Sequence, residues 1–405
     1  VAGPGVLRWA EDQWGRQVKS AGWWCGDLSR LTVVVLSKSR PEYLLRQAVF
    51  WSGSPVRLLI MDGSDEPLPD GARDLLARET GIDYHHRPSS ISARFTEASH
   101  LIETPYTVLL GDDEFHLPAG LCASIRRLDE DLDMVGCIGQ SLFFRPMGKA
   151  RRWVYDVAYP HWKYERDEPT IGERLEAAFD PYTPTTPYAV LRTPVWQRAW
   201  GGLREWTSPV AFELQQAIVV HGMGRVGSVD EVQWLRSVEN PRVDQNERKL
   251  IFVPWWQCSE YDAEHKEFVL TVADVLESEL GVSQSEAVAL VRRAIGSYLG
   301  YWERRSRNNP SPFVALVERV TAWLKTTGAT VVEQVFGGGG RLLVRRVRVR
   351  LGEVLGRPST GYLGTVEDIA SRAPEGLIET SPDLADQLLE AEDLIVSFYR
   401  SSRDG

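Results

Sequence analysis

Cysteines are scarce in this sequence, and long apolar runs are missing from it. The four cysteines lie far apart and form no Cys-x-x-Cys pair: Cys25, Cys122, Cys137 and Cys258. We therefore expect neither a disulfide framework nor a zinc site. No stretch reaches the roughly 18 apolar residues of a membrane-spanning helix, and the first residues lack the basic start and apolar segment of a secretory signal. These absences predict a cytoplasmic protein.

Basic residues are also fewer than acidic residues in this sequence. The 405 residues carry a formal net charge of −10, which argues against a general nucleic-acid binder. The length predicts roughly two to three domains, and the hydrophobic fraction of 43% is ordinary for a folded chain. A protein this acidic that handles a phosphorylated ligand has to concentrate its positive charge locally or take it from a metal ion.

From residue 31 the sequence alternates between β-branched runs and amphipathic segments. The runs predict strands at 31–36, 56–61, 82–86 and 106–110, with helices at 42–50, 70–79 and 92–103 between them. This alternation predicts an α/β fold with a parallel, Rossmann-like sheet.

The chain beyond this part changes character. Helical periodicity dominates from residue 262, with a possible hinge at Gly337–Gly340. We therefore predict a tryptophan-rich N-terminal arm (1–30), an α/β domain (31–261) and a helical C-terminal domain (262–405).

Polar clusters follow three of the predicted strands: Ser37–Arg40, Asp62–Asp65 and Asp112–Glu114. Ligands of such sheets bind beyond the carboxyl ends of the strands. Three adjacent carboxylates repel one another unless a cation offsets them, and a divalent ion shared with substrate phosphates is the usual solution. The alternative for Asp112–Glu114 is a solvated acidic turn, or a cap for the helix after Pro118.

The order of these motifs resembles glycosyltransferase family 2 over roughly residues 31–240. Strand–Asp62-Gly-Ser precedes Ser92-Ala-Arg94 and then strand–Asp112-Asp-Glu, and Leu36–Leu44 is similar to the opening strand–loop–helix of that family. The resemblance implies a GT-A fold, and it implies transfer of a hexose from a nucleotide sugar, with UDP favoured, to a saccharide, glycan or small hydroxylated acceptor.

The resemblance also implies roles for individual residues. Ser37, Asp62, Arg94 and Asp112 would bind the nucleotide, with Asp62 on the imide of the base and Asp112 on the ribose. Asp113 would ligate Mn²⁺ or Mg²⁺, with Glu114, or alternatively Asp112, as the second acidic contact. This sequence has Gly111 where many members have the first acid of Asp-x-Asp.

Glu213 is the predicted catalytic base. In the family an acidic residue opens a helix after a Gly-rich turn, and here Trp200-Gly-Gly-Leu203 precedes Glu213 and Gly224 follows it. The family usually has Asp at this place, Glu205 is the second choice, and a helix-surface carboxylate is the alternative. A carboxylate base implies inversion at the anomeric carbon.

Two tryptophans, Trp153 and Trp206, are candidates to stack on the acceptor, although most aromatic residues here are expected in the core. The basic run Arg341–Arg350 could touch anionic lipid or a phosphorylated acceptor, while a solvated helix face is the simpler interpretation. A homodimer is a further possibility.

Two other functions compete with the transferase. A nucleotidyltransferase that makes a nucleotide sugar would need a Gly-rich loop after the first strand, which Ser37–Arg40 lacks. A non-catalytic carbohydrate-binding protein is the other alternative. Gly222–Gly227 matches the Gly-x-Gly-x-x-Gly dinucleotide motif, but a helix stop and turn explain these glycines more simply.

Overall fold

The computed structural model describes residues 4–14, 23–147, 152–158, 164–240, 252–307, 362–372 and 383–401. Within them the chain folds around one sheet of ten strands. The strands are β1 Leu31–Ser37, β2 Arg57–Asp62, β3 Ile82–His86, β4 Tyr106–Gly111, β5 Phe115–His116, β6 Met134–Met147, β7 Arg152–Val157, β8 Val190–Arg192, β9 Arg225–Ser237 and β10 Tyr362–Gly364. The helices are α1 Pro4–Trp14, α2 Pro41–Trp51, α3 Asp70–Leu76, α4 Ile91–Leu101, α5 Pro118–Glu130, α6 Ile171–Phe179, α7 Thr193–Gly201, α8 Pro209–Met223, α9 Phe252–Gln257, α10 Asp262–Leu280, α11 Gln284–Arg307, α12 Val366–Arg372 and α13 Leu384–Ser401.

The first four strands form a parallel half-sheet in the order β3-β2-β1-β4. Helices α2, α3 and α4 make the crossovers between them, and α2 begins with Pro41 as predicted. Proline suits the first helical turn because the amide that it lacks has no partner there. The predicted α/β, Rossmann-like fold is confirmed.

The second half of the sheet is mixed. Strand β8 runs antiparallel to both β4 and β6, while β9 runs parallel to β6. Strands β7 and β10 continue the sheet on the far side of β6. Strand β7 was not predicted, because its residues looked like an irregular aromatic and basic segment.

Helices cover both faces of the sheet and bury two cores. Along β1, Val33 and Val35 face the first core and Val34 faces the second, which is the period of two expected of a strand. The first core packs against α1, α2, α3, α5, α12 and α13, and the second against α4 and α6 to α11. Burial on both faces explains why β1 consists almost entirely of apolar residues.

The three predicted segments share these cores. The N-terminal arm contains a regular helix, α1, whose Trp9 donates from Nε1 to Ser397 Oγ on α13 at 3.0 Å. Helices α10 and α11, which follow residue 261, pack on the second core. Independent folding of 1–30 and 262–405 stays a prediction, and both Gly337–Gly340 and Arg341–Arg350 lie outside the described residues.

Cys25 and Cys122 form a disulfide with a Cα–Cα distance of 6.5 Å, so the expectation of no disulfide is wrong for this pair. The bond ties the turn before β1 to α5. The two residues are 97 positions apart, and only the fold brings them together. Because this disulfide forms, the spacing of the cysteines no longer predicts a reducing compartment. None of the described helices is long and apolar enough to cross a bilayer.

The dinucleotide-like motif spans the end of a helix and the start of a strand. Gly222 lies in α8, which ends at Met223, and Gly227 lies in β9, which begins at Arg225. The dinucleotide motif requires the opposite order, with a strand leading into a helix. Gly224, which caps α8, forms the helix stop that the simpler interpretation predicted.

Candidate active site

The carboxyl ends of β2, β1 and β4 lie side by side. Ser37 pairs in register with Asp62, and Leu36 pairs with Gly111. The Ser37 hydroxyl donates to Asp112 Oδ2 at 2.7 Å. Asp62 and the three residues that we call the acid turn (Asp112–Glu114) therefore share one edge of the sheet, as the sequence predicted.

The three carboxylates of the acid turn have different surroundings. Asp112 is buried and accepts a hydrogen bond from Arg40 Nη1 at 2.8 Å. Asp113 is more open, and its Oδ2 accepts from Asn240 Nδ2 at 2.6 Å and from Arg40 Nη1 at 3.3 Å. Glu114 points into the interior, where Trp234 Nε1 donates to its Oε2 at 3.0 Å.

Two consecutive residues of α2 hold the backbone of the acid turn. Arg46 Nη2 donates to the carbonyl of Asp113 at 3.0 Å. Gln47 Nε2 donates to the carbonyls of Asp112 at 3.0 Å and Glu114 at 2.6 Å. Because all three carbonyls are held from the α2 side, the turn keeps one conformation.

A buried ion pair lies behind this clamp. Arg46 Nη2 is 3.0 Å from Glu239 Oε2, and the two side chains are 0% and 1% exposed. Tyr399 of α13 donates to Glu239 Oε1 at 2.6 Å. The C-terminal helix thus reaches the acid turn through Glu239 and Arg46, a connection that the sequence analysis missed.

Burial shifts the acid turn toward its protonated forms. It raises the pKa of Asp112 to about 6, against the opposing charge of Arg40. It raises the pKa of Glu114 to about 8, with the charge of Asp113 adding to the effect. At neutral pH burial therefore favours the protonated form of Glu114 in the metal-free protein.

The residues of the acid turn fit a divalent ion only in part. Asp113 is partly exposed and lies beside Asp112, so one or two carboxylates could meet a cation that also binds phosphate oxygens. Glu114 does not fit, because it is buried and its Oε2 is bonded to Trp234 Nε1, and its assignment as a metal contact is corrected here. Within the described ranges, no three His, Cys, Asp or Glu side chains form a preformed metal-binding group.

The proton on Glu114 gives a testable dependence of stability on pH. The unfolded chain releases this proton near pH 4.5 and the folded protein near pH 8, so the folded state binds more protons between these values and stability falls as pH rises. Glu114→Gln stays neutral and still accepts from Trp234. At pH 8 we expect the free energy of unfolding of the variant to exceed that of the wild type by about 2–4 kcal/mol, since each pKa unit is worth about 1.4 kcal/mol, and at pH 5 by less than about 1 kcal/mol.

Urea unfolding at both pH values measures this difference. Glu66→Gln, at an exposed position, is the control and should follow the wild type. A difference between Glu114→Gln and wild type that is the same at pH 5 and pH 8 would contradict the prediction.

Asp62 is fixed from two sides. Its Oδ1 accepts from the Ser64 amide at 2.9 Å and from the Ser64 hydroxyl, and its Oδ2 accepts from the Tyr84 hydroxyl at 2.7 Å. The residue is 1% exposed. Ser64 in turn accepts at Oγ from the Ser39 amide at 2.8 Å, so this network joins the loops after β1 and β2.

Arg94 lies beneath these two loops. Its Nη1 donates to the carbonyls of Ser37 at 2.6 Å and Met61 at 3.1 Å. A Cβ on Gly63 would come within 2.4 Å of Arg94 Cζ, which explains the glycine of the Asp-Gly-Ser motif. Burial lowers the pKa of Arg94. Arg94 therefore supports the edge of the sheet at which the sequence predicts nucleotide binding. Its own contact with a nucleotide stays a prediction.

The two candidate bases lie at different places. Glu213, the fifth residue of α8, accepts from the hydroxyl of Tyr182. Glu205 is exposed and accepts at Oε1 from Ser92 Oγ at 3.2 Å. Glu205 is thus bonded to α4, the helix that also carries Arg94.

The two acceptor candidates differ in exposure. Trp153 is 1% exposed, and its ring lies between Phe144 at 5.6 Å and Tyr399 at 6.3 Å. Its prediction as an acceptor platform is therefore corrected, because the ring is packed beneath α13. Trp206 is half-buried, with its indole N–H on Gln215 Oε1 at 2.8 Å, and its role stays a prediction.

Comparison with known proteins finds only distant structural likeness. No protein-family model and no curated protein matches the chain. The chain is similar to the crystal structure of S. aureus TarS 1-349, with 10% identity, 91% of this chain and 89% of that chain covered, and a TM-score of 0.42. For the same protein in complex with UDP-GlcNAc the identity is 10%, the coverage 91% and 89%, and the TM-score 0.43. Likeness this distant assigns no activity, so the function has to be argued from the residues of this chain.

Proposed function

We propose that the protein is a glycosyltransferase that transfers a hexose from a nucleotide sugar, with UDP favoured, to a hydroxylated acceptor. The observation that carries the proposal is one edge of the sheet, where Ser37 pairs with Asp62 and donates to Asp112, and where Arg40 contacts both Asp112 and Asp113. A nucleoside diphosphate needs hydrogen-bond acceptors for its base and ribose and positive charge for its two phosphates. Carboxylates beside an arginine supply both.

The roles follow the position of each side chain. Asp62 at the end of β2 and Arg94 on α4 would contact the base, and Ser37 and Asp112 would contact the ribose. Asp113 would hold Mn²⁺ or Mg²⁺, which when bound neutralises the charge that develops on the diphosphate leaving group. The two α2 side chains that hold the turn keep Asp113 in place.

The acceptor side of the proposal depends on a carboxylate base. Glu213 is the base that we propose, and a direct displacement that it promotes would invert the anomeric centre. The saccharide or small-molecule acceptor would approach from the side of α8, where Trp206 is partly open. The proposal also includes a homodimer and a contact with anionic lipid, both of which are predicted from the sequence.

Binding of UDP tests the proposal directly. We expect wild-type protein to bind UDP and to bind it about tenfold more tightly with Mn²⁺, a gain of about 1.4 kcal/mol. Asp113→Ala should lose this gain and keep the metal-free affinity. Isothermal titration with and without Mn²⁺ measures both.

The control is Asp133→Ala, because the side chain of Asp133 is 91% exposed and lies before β6. This variant should retain the full effect of Mn²⁺. A wild-type protein that binds no UDP under either condition would contradict the transferase, and an unchanged Mn²⁺ effect in Asp113→Ala would contradict the metal assignment.

A further inference from the structure

Arg40 lies between the two carboxylates that would meet the nucleotide and the metal. Its Nη1 is 2.8 Å from Asp112 Oδ1 and 3.3 Å from Asp113 Oδ2. The Arg40 side chain is 30% exposed, whereas those of Asp112 and Asp113 are 8% and 18% exposed. The guanidinium therefore covers both carboxylates from the solvent side.

The backbone that carries Arg40 is held in place, so only its side chain is free to move. Ser39 has a φ of 58°, and its amide is bonded to Ser64 Oγ at 2.8 Å. Arg40 itself caps α2, where its carbonyl accepts from the amides of Tyr43 and Leu44. A change of partner by the guanidinium requires only rotation of its long side chain.

We propose that Arg40 is the resident counter-ion of the acid turn and that it competes with a divalent cation for Asp113. A guanidinium and a divalent cation on the same carboxylate repel each other, so each weakens the binding of the other. When a metal binds Asp113, the guanidinium is released toward the solvent side, where a planar fork suits a diphosphate. This second step rests on the proposed function, and the first does not.

The competition can be measured without any nucleotide. We expect Arg40→Gln to bind Mn²⁺ at least tenfold more tightly than the wild type, as followed by the electron paramagnetic resonance signal of free Mn²⁺. Arg40→Lys keeps the charge and should stay close to the wild type. Arg57→Gln is the matched control, since the Arg57 side chain is also 30% exposed and pairs with Asp83. Equal or weaker Mn²⁺ binding by Arg40→Gln would overturn the competition.

A second measurement tests the release of Arg40 toward phosphate. At a Mn²⁺ concentration that saturates both proteins we expect Arg40→Gln to bind UDP about tenfold more weakly than the wild type, and Arg57→Gln to bind it equally well. Unchanged UDP affinity in Arg40→Gln would overturn this step. If the wild type binds no UDP at all, the proposed function and this second step fail, while the Mn²⁺ measurement still decides whether Arg40 competes with a cation.

Discussion

Replacing Arg46 with alanine is expected to lower the free energy of unfolding by about 3–5 kcal/mol, because the change leaves a buried carboxylate without its cation. Arg46 is fully buried, and its guanidinium donates to both carboxylate oxygens of Glu239, at 3.2 and 3.0 Å. It also lies 4.6 Å from the ring centre of Tyr43 and 5.2 Å from that of Phe398. The alanine variant removes the charge and the packing together.

Denaturant unfolding of a second variant separates these two contributions. Arg46→Met combined with Glu239→Gln replaces the pair by neutral side chains of similar size, and we expect it to recover most of the loss. Arg198→Ala is the control, because Arg198 is 61% exposed and pairs with Glu279 at the surface; its effect should stay below about 1 kcal/mol. A loss of less than about 1 kcal/mol in Arg46→Ala would show that the pair contributes nothing.

The parallel half of the sheet could be predicted from the sequence because local signals coincide there. Strand β1 is apolar throughout, since both of its faces are buried, and Pro41 marks the start of α2. The turn residues after β2 and β4 mark the strand ends. These signals place Asp62 and Asp112 at one edge with no knowledge of distant contacts.

Contacts between distant parts of the chain could not be predicted in this way. Gln47 meets the carbonyl of Asp112 across 65 positions, and Arg46 meets Glu239 across 193. The sequence does contain one signal, a charged and an amide residue in the middle of the largely apolar helix α2. Such residues are rarely buried without partners, so a polar partner elsewhere could have been expected, although not its identity.

The roles predicted for two side chains were wrong for a related reason, because their burial depends on distant parts of the chain. Trp153 was an acceptor candidate because its segment is rich in aromatic and basic residues. The ring is covered by α13, which returns to the sheet more than 200 positions later and places Tyr399 over it. Glu114 was taken as a metal contact from adjacency alone, but the carboxylate points to Trp234 on β9.

Glu213→Gln is expected to lower kcat by about 10²–10⁴-fold, the usual contribution of a general base, with UDP affinity unchanged. The helix that carries Glu213 packs against α4, the helix of Arg94, because Phe212 lies 5.5 Å from Phe95. The Tyr182 hydroxyl fixes the carboxylate of Glu213. Steady-state rates with a UDP-sugar and a hydroxylated acceptor, and titration of UDP alone, measure the two effects separately.

Glu205→Gln is the matched comparison, since it removes the same charge from the turn that precedes α8. Glu205 is exposed and bonded to Ser92 on α4, so it would reach an acceptor from the nucleotide side, whereas Glu213 would reach it from the side of α8. If Glu213 is the base, Glu205→Gln should retain a rate within about threefold of the wild type, which is less than 1 kcal/mol in the barrier. The reverse result, a large loss in Glu205→Gln with Glu213→Gln nearly unaffected, would assign the base to Glu205. In that case the Tyr182–Glu213 contact serves only to join α8 to the aromatic residues of the second core.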